Sequence, residues 1–189
     1  MSPIIDKFDA RLGDKIEGER TRRGWSLRDL ADRAGVSRAM ISKIERGQVS
    51  ATAALLGRLA AAFDLSLSQL MLMTEAGQDR VSRAADQATW RDPATGYTRR
   101  QRSPARSGSR LEIAEIELPA GQSVAFPASS YVALDHQILV LDGQLDFVRD
   151  GEVFALGPGD CLHIGGAVDC EYRNATGEVC RYLVVLTRI

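Results

Sequence analysis

Long apolar runs are missing from this chain. The longest, such as Ala60 to Phe63 and Tyr182 to Leu186, fall well short of the about 20 residues that span a bilayer, so no membrane helix is expected. A secretory signal is missing too: Met1 to Ala10 carries Asp6 and Asp9 and has no apolar stretch before a small-residue cleavage site. The expectation is a cytoplasmic protein. Cysteine is scarce. The three residues, Cys161, Cys170 and Cys180, form an odd set that a cytoplasmic chain keeps reduced, which excludes a disulfide framework. Net charge is almost absent, −1 at pH 7. Compositional bias is absent as well, since 44% apolar and 26% charged residues are ordinary for globular chains and exclude disorder and collagen. A length of 189 residues then favours two small domains.

What is present divides near Leu72. Up to that residue there are 12 Lys or Arg against 9 Asp or Glu, and beyond it 12 against 16. A mildly basic half therefore precedes an acidic one. Periodicity changes at the same place. Phe8, Leu12 and Ile16, and then Leu55, Leu56, Leu59, Ala60 and Phe63, recur at helical spacing. Beyond residue 88, short β-rich runs sit between Gly, Pro and Asp: Arg110 to Leu118, Gln137 to Leu141, Gln144 to Arg149, Asp160 to Ile164 and Arg181 to Thr187. The expected organisation is a helical domain over 8–73, a linker over 74–88 and a strand domain over 89–189. Five arginines at 99, 100, 102, 106 and 110 read as a solvated strand edge and loop, with phosphate binding as the alternative.

Capping residues mark the helices. Ser26 precedes Leu27 to Ala34, Ser37 precedes Arg38 to Arg46, Thr52 precedes Ala53 to Asp64, and Ser66 with Gln69 forms a capping box before Leu70 and Met71. Gly35 and Gly47 stand where helices end. Five short helices result, the second and third joined only by Gly35-Val36-Ser37, which is helix-turn-helix spacing. In the third helix Val36, Ile41 and Ile44 follow core spacing. Arg38, Ala39, Ser42, Lys43 and Arg46 fall on the opposite stripe. Long donors, hydroxyls and a small residue are the types that a helix in the major groove needs, although any solvated helix also shows them.

The stretch Gly24 to Gly47, with its Leu-Ala, Ala-Gly-Val-Ser and Ile-Glu-Arg-Gly landmarks, and the closing Leu65 to Leu70 resemble the lambda-repressor-like DNA-binding domain of the XRE family. The resemblance covers roughly residues 10 to 72. It implies that Ser37 to Arg46 enters the major groove of double-stranded DNA. Many relatives begin helix 2 with a Gln that touches phosphate, and Leu27 stands at the matching position here. Arg22, Arg23 and Arg28 are the nearby candidates to replace that contact. The candidate DNA-binding set is therefore Arg22, Arg23, Arg28, Ser37, Arg38, Ala39, Ser42, Lys43 and Arg46.

In the strand half, Leu134 to Phe147, the turns at Gly143, Gly151 and Gly157-Pro158-Gly159-Asp160, and Tyr172-Arg173-Asn174 are similar to a cupin over about residues 108 to 187. The segment Trp90 to Tyr97 opens the same domain. The fold class implied is an all-α five-helix domain followed by an all-β jelly-roll barrel. Cupin enzymes usually hold a divalent metal through two His and a Glu in the first motif and a His in the second. Alignment on Gly143 and Asn174 puts Ser130 and Val132 at the two His positions, His136 at the Glu position and Cys170 at the last. That set is too poor for the usual metal chemistry, so neither a metal nor another cofactor is expected. An unusual site of His136 and Cys170 with His163 or Cys161 is a further possibility, because Cys161 and His163 share one face of their strand. Tyr131, His136, Cys170 and Tyr172 are the candidate lining of an effector pocket.

Together these readings give a sequence-specific transcriptional regulator, not an enzyme. It is expected to act as a homodimer on a palindromic operator, with a small-molecule effector in the barrel. The alternatives are a metal-dependent cupin enzyme fused to a DNA-binding domain, a thiol-based redox regulator, and an antitoxin that binds DNA with a protein partner.

Overall fold

Helices begin in this chain where a side-chain oxygen can take the first unpaired backbone N–H groups. The computed structural model, which describes residues 3–71, 80–104 and 109–189, shows this at four starts. The helices are α1 (Pro3–Arg22), α2 (Leu27–Ala34), α3 (Arg38–Glu45), α4 (Ala53–Ala62) and α5 (Leu67–Met71). Ser26 Oγ accepts from Asp29 N while the Asp29 carboxylate accepts from Ser26 N, so α2 also has a capping box. Ser37 Oγ accepts from Met40 N at the start of α3, and Thr52 Oγ1 from Leu55 N at α4. At α5, Ser66 and Gln69 exchange bonds of 3.0 Å in both directions. Gly35 closes α2 at φ +62, a conformation that costs a residue with a Cβ.

Two details differ from expectation. The first helix is long, 20 residues, rather than short. Asp64 lies beyond the end of α4 at φ +55, where it turns the chain towards α5. The core of this unit is Leu12, Ile16, Leu30, Ile41, Ile44, Leu56, Leu59, Phe63 and Leu70, drawn from all five helices and the turn after α4. The chain consists of two compact units, Met1–Met73 and Thr74–Ile189. Positions 74–79 of the expected linker lie outside the described residues, and Ala84–Asp86 forms a single 3-10 turn.

The second unit is a jelly roll of β1 (Thr89–Arg91), β2 (Thr98–Gln101), β3 (Leu111–Leu118), β4 (Ser123–Phe126), β5 (Leu134–Asp142), β6 (Leu145–Arg149), β7 (Glu152–Leu156), β8 (Cys161–His163), β9 (Cys170–Arg173) and β10 (Cys180–Arg188). β3 pairs with β10, β4 with β9, β5 with β8 and β6 with β7, always antiparallel. This nesting is one long hairpin rolled into two sheets, ordered β1-β2-β3-β10-β5-β8 and β4-β9-β6-β7. The sheets meet where Tyr172 on β9 stacks on Tyr182 of β10 at 5.8 Å, and Phe147 on β6, in the same sheet as Tyr172, packs edge-on against that ring at 5.1 Å. The β5–β6 turn needs Gly143, at φ +78, because a Cβ there would lie 2.8 Å from the Val179 carbonyl oxygen.

Alternation in the sheets corrects two expectations. Arg99 does not lie on a solvated edge. It is buried between the outward Thr98 and Arg100, with Tyr97 beside it. Arg102 is also engaged, pairing with Glu115 and donating to Gln87, while Arg106 lies outside the described residues. The proposed grouping of His136 and Cys170 with His163 or Cys161 is not formed either. His136 and Cys170 are buried, whereas Cys161 and His163 are exposed on β8, where His163 Nε2 bonds Asp135 Oδ1 at 2.7 Å. Period-two geometry explains the split, since β8 pairs with β5 by Gln137↔His163, the neighbour of His136 that faces outward.

Candidate nucleic-acid interface and barrel interior

The turn Gly35-Val36-Ser37 brings the N-termini of α2 and α3 together. Ser26, Leu27, Arg28, Ser37, Arg38 and Ala39 line one shallow cleft there. Two helix starts side by side offer unpaired N–H groups and positive dipole ends to a phosphate. Leu27 lies within this cleft and contributes no hydrogen bond through its side chain. Arg28 is exposed and only loosely engaged, 3.8 Å from Asp32. Ser37 accepts the cap bond, which leaves its hydroxyl hydrogen available as a donor.

Along α3 the two faces separate as the spacing requires. Ile41 and Ile44 are buried. Arg38, Ala39, Lys43 and Arg46 are exposed and Ser42 half-buried. The helix thus presents a cationic, hydroxyl-bearing stripe without a carboxylate. Met40 is the large apolar side chain exposed beside it.

Arg22 and Arg23 behave differently from each other. Both reach the Glu19 carboxylate. Partial burial opposes its ionisation, but their hydrogen bonds hold it below the ordinary carboxylate range. Arg22 stays exposed. Arg23 instead turns inward, donating to the Phe63 carbonyl at 2.5 Å and lying 5.1 Å from the Phe63 ring. Its guanidinium is committed to packing, so Arg22 and Arg28 are the exposed members of the proposed trio.

Sequence reading missed the parts that aim α3. Arg20 of α1 holds Glu45, the last residue of α3, by two bonds, Nε to Oε1 at 2.7 Å and Nη2 to Oε2 at 2.9 Å. Its third donor reaches the Trp25 carbonyl at 3.0 Å. Gly13 lies where α1 crosses the same end of α3, and a Cβ there would sit 2.5 Å from the Ile44 carbonyl oxygen. Trp25 stacks on Phe63 at 5.9 Å, with Arg33 over its ring at 4.3 Å. The glycine and the i, i+3 and i+4 spacings around Arg20 were visible, but the partner of a charged residue 25 positions away leaves no periodic trace.

The four barrel residues singled out from sequence do come together. The Tyr131 ring stacks on His136 with centroids 4.5 Å apart and planes 6° from parallel. Its hydroxyl is 3.3 Å from that of Tyr172 and also interacts with Cys170. His136 is 1% exposed, and neither of its ring nitrogens has a partner in the structure. Burial holds it neutral, lowering its pKa to about 4. Burial also pushes the Cys170 thiol up to about 11 and the Tyr131 and Tyr172 hydroxyls well above their ordinary range. The interior is therefore uncharged at these residues at neutral pH.

A divalent metal of the usual cupin kind does not fit this donor set. Val132 has no donor atom and is 65% exposed, and Ser130 is a poor ligand, which leaves His136 and Cys170 where a stable site needs three or four protein donors. Among the described residues no group of three or more His, Cys, Asp or Glu is placed to hold a metal ion. Asn174, in the second motif, works as a latch: its amide donates to the carbonyls of Leu118, Pro119 and Glu178 and accepts from Thr176.

Comparison with known proteins accords with both halves. Residues 16–70 match the helix-turn-helix family model and residues 135–186 the cupin domain model. The chain is 29% identical over 171 residues to the HTH-type transcriptional regulator SutR of Escherichia coli, covering 90% of this chain and 91% of that one. It is 36% identical over 87 residues to the transcriptional regulator ClgR of Mycobacterium tuberculosis, covering 46% of this chain and 77% of that one. A crystal structure of a helix-turn-helix family transcriptional regulator from Vibrio cholerae superposes with a TM-score of 0.80 at 22% identity over 97% of this chain and 98% of the other, which supports the same fold. No helix among the described residues is long and apolar enough to cross a membrane. With a reading helix at its N-terminal end and a jelly roll behind it, the chain belongs to the helix-turn-helix family of DNA-binding transcriptional regulators, in the form that carries a C-terminal cupin domain.

Proposed function

We propose that the protein is a homodimeric, effector-responsive regulator that reads a palindromic operator through Arg38, Ala39, Ser42 and Lys43 and is not an enzyme. The observation that carries the reading is the exposed stripe of α3, whose Arg38, Lys43 and Arg46 have no intramolecular side-chain partner among the described residues. Three cations held on one rigid helix beside two helix N-termini repel one another, and the phosphate backbone relieves that repulsion. Arg38 and Lys43 are of the type that reads guanine, while Arg22, Arg28, Ser37 and Arg46 serve the phosphates.

A single domain of this size covers about one half-site, so two copies related by a two-fold axis are required for specific affinity. The barrel supplies the sensor: Tyr131, His136, Cys170 and Tyr172 are uncharged at neutral pH and both His136 nitrogens lack a partner among the described residues, a lining suited to a small molecule rather than to hydrolysis. Neither a nucleophile with an adjacent base nor a metal ligand set supports catalysis there. The redox alternative is disfavoured because the thiol lying against Tyr131 is buried and protonated.

Selection of bound DNA from a random pool with the purified full-length chain, at stated salt, tests the proposal. The expected product is one enriched motif with two-fold symmetry. Enrichment of an asymmetric single motif would remove the dimer, and no enrichment over non-specific binding would remove sequence reading by the free protein.

A further inference from the structure

The barrel interior holds a group that enters it from outside. Tyr131 ends the 3-10 turn Ala128–Tyr131, and its backbone neighbours Val132 and Ala133 are both exposed. The residue itself is only half-buried, yet its hydroxyl reaches the deep residues Tyr172 and Cys170. Its ring lies flat on His136 and takes the edge of Phe126 at 6.0 Å. The slot is thus shaped to a six-membered aromatic ring with a hydroxyl at its inner end.

Tyr131 fills that slot incompletely. His136 Nδ1 and Nε2 and the buried Ser130 Oγ all lack partners. Orphaned buried polar groups are destabilising, and the two on His136, against which the Tyr131 ring is stacked, mark a place where polar atoms are owed and Tyr131 does not supply them. Few bonds hold the turn: Ser130 N donates to the Pro127 carbonyl, Ala128 N to the Asp169 carboxylate and Ile189 N to the Ala133 carbonyl. Val132 contributes no core packing, and Ala133 is held at φ +58, which a residue with a Cβ adopts only at a cost.

We propose that Tyr131 is a displaceable plug, and that the molecule which displaces it is a planar hydroxyaromatic compound that stacks on His136, places its hydroxyl between Tyr172 and Cys170, and carries a further hydrogen-bonding group towards a His136 nitrogen. The proposal rests on the reading of the barrel as an effector site. It assigns the chemical class of the effector and the segment that moves when it binds. In binding, the ligand exchanges one ring for another, so the apolar cost of opening is returned; a ring that only copies tyrosine displaces the plug by mass action, and groups that reach the orphaned nitrogens add affinity to that. The apparent affinity of the wild-type chain is reduced by the fraction of molecules whose plug is out.

The probe is p-cresol, which copies the tyrosine side chain, with 4-methylcyclohexanol as the non-planar control. Full-length wild-type protein is titrated while the His136 ring resonances and the amide exchange of residues 128–133 are followed by nuclear magnetic resonance. The expected result is a saturable shift of His136 together with faster exchange over 128–133, absent with the control. Tyr131→Ala should saturate at a concentration at least tenfold lower. Tyr131→Phe keeps the ring but loses the inner hydroxyl contacts, and it should gain affinity less strongly, which serves if the alanine variant does not fold.

The plug is overturned if wild-type His136 and the 128–133 amides are unmoved by p-cresol however well the alanine variant binds, because any truncated core accepts an aromatic guest. It is also overturned if the non-planar alcohol binds equally. Operator affinity measured in the same samples separates the two readings. Plug displacement without any change in DNA binding sustains the plug and counts against the effector coupling, whereas regulation by another molecule with p-cresol inert removes the plug alone.

Discussion

At the level of single residues, function divides by which side chains remain uncommitted. Arg38 and Arg23 are both arginines of the helical unit, but Arg23 spends its donors on Glu19 and Phe63 while Arg38 projects from α3. Arg38→Ala is therefore expected to cost about 1 to 3 kcal/mol of operator affinity and to relax the preference at one base position. If Arg28 contacts phosphate as proposed, Arg28→Ala should weaken all sequences evenly and lower the salt slope by about 1. Binding isotherms on the selected site and on single-base variants, at several salt concentrations, distinguish the two. Uniform weakening by Arg38→Ala would make it a phosphate contact instead.

His136 yields a prediction with a definite sign. Its pKa is lowered in the folded chain, from 6.5 to about 4, so between those values the unfolded chain binds a proton that the folded chain refuses. Stability from this group is complete above pH 6.5 and is lost as pH falls towards 4, by about 3 kcal/mol. His136→Phe removes the titration and the two orphaned nitrogens together. Urea unfolding should find the variant no less stable than wild type at pH 7 and relatively more stable, by that amount, near pH 4. Parallel pH profiles for the two proteins would show that His136 is not buried neutral.

At the level of elements, the question is what aims α3. The bidentate Arg20–Glu45 pair and the close approach at Gly13 both act on its C-terminal end. Glu45 is almost buried and Arg20 nearly so, with side chains 7% and 12% exposed, so removing one partner strands the other's charge. Glu45→Gln should destabilise the helical unit by about 3 kcal/mol, and Gly13→Ala by about 1 to 3 kcal/mol, through displacement of α1 from the Ile44 carbonyl. Both variants should lose operator affinity although neither residue is in the proposed DNA-binding set. Stability and binding measured together check this, and full operator affinity in a Gly13→Ala protein would mean that α3 is aimed from elsewhere.

The same elements show how far the sequence could be read. Caps and periodicity made α2 to α5 legible, because Ser26, Ser37, Thr52 and Ser66 act within four residues of themselves. Strands of five or more residues with β-branched cores, such as β3, β5 and β10, were legible for a similar local reason. β1, β2, β4 and β9 were not, being three or four residues long, too short to establish a period; β7, with five residues, was missed as well, while the short β8 was read from the turn residues around Asp160 to Ile164. The Tyr131–His136–Tyr172–Cys170 cluster was found through the cupin alignment. Only the sheet pairing could show that Cys161 and His163 face away from it.

For the whole molecule, the proposed coupling between barrel and operator would be thermodynamic before it is mechanical. A ligand changes DNA affinity only by binding the operator-competent state and the other state unequally, and a tenfold effect needs about 1.4 kcal/mol of difference. The arrangement most sensitive to such a small difference is a dimer whose two reading helices must fit two half-sites at once. If they do, each copy raises the effective concentration of the other on DNA, and the advantage exists only while the half-sites face the same side of the duplex. Inserting about 5 base pairs at the centre of the selected operator turns one half-site to the opposite side, since a helical turn is about 10.5 base pairs. The full-length protein should then fall to the affinity of an isolated half-site, a loss of at least tenfold, and gel-shift stoichiometry should drop from two copies to one. Unchanged affinity after the insertion would mean that the two copies bind independently, and any effector response would then have to act within a single chain.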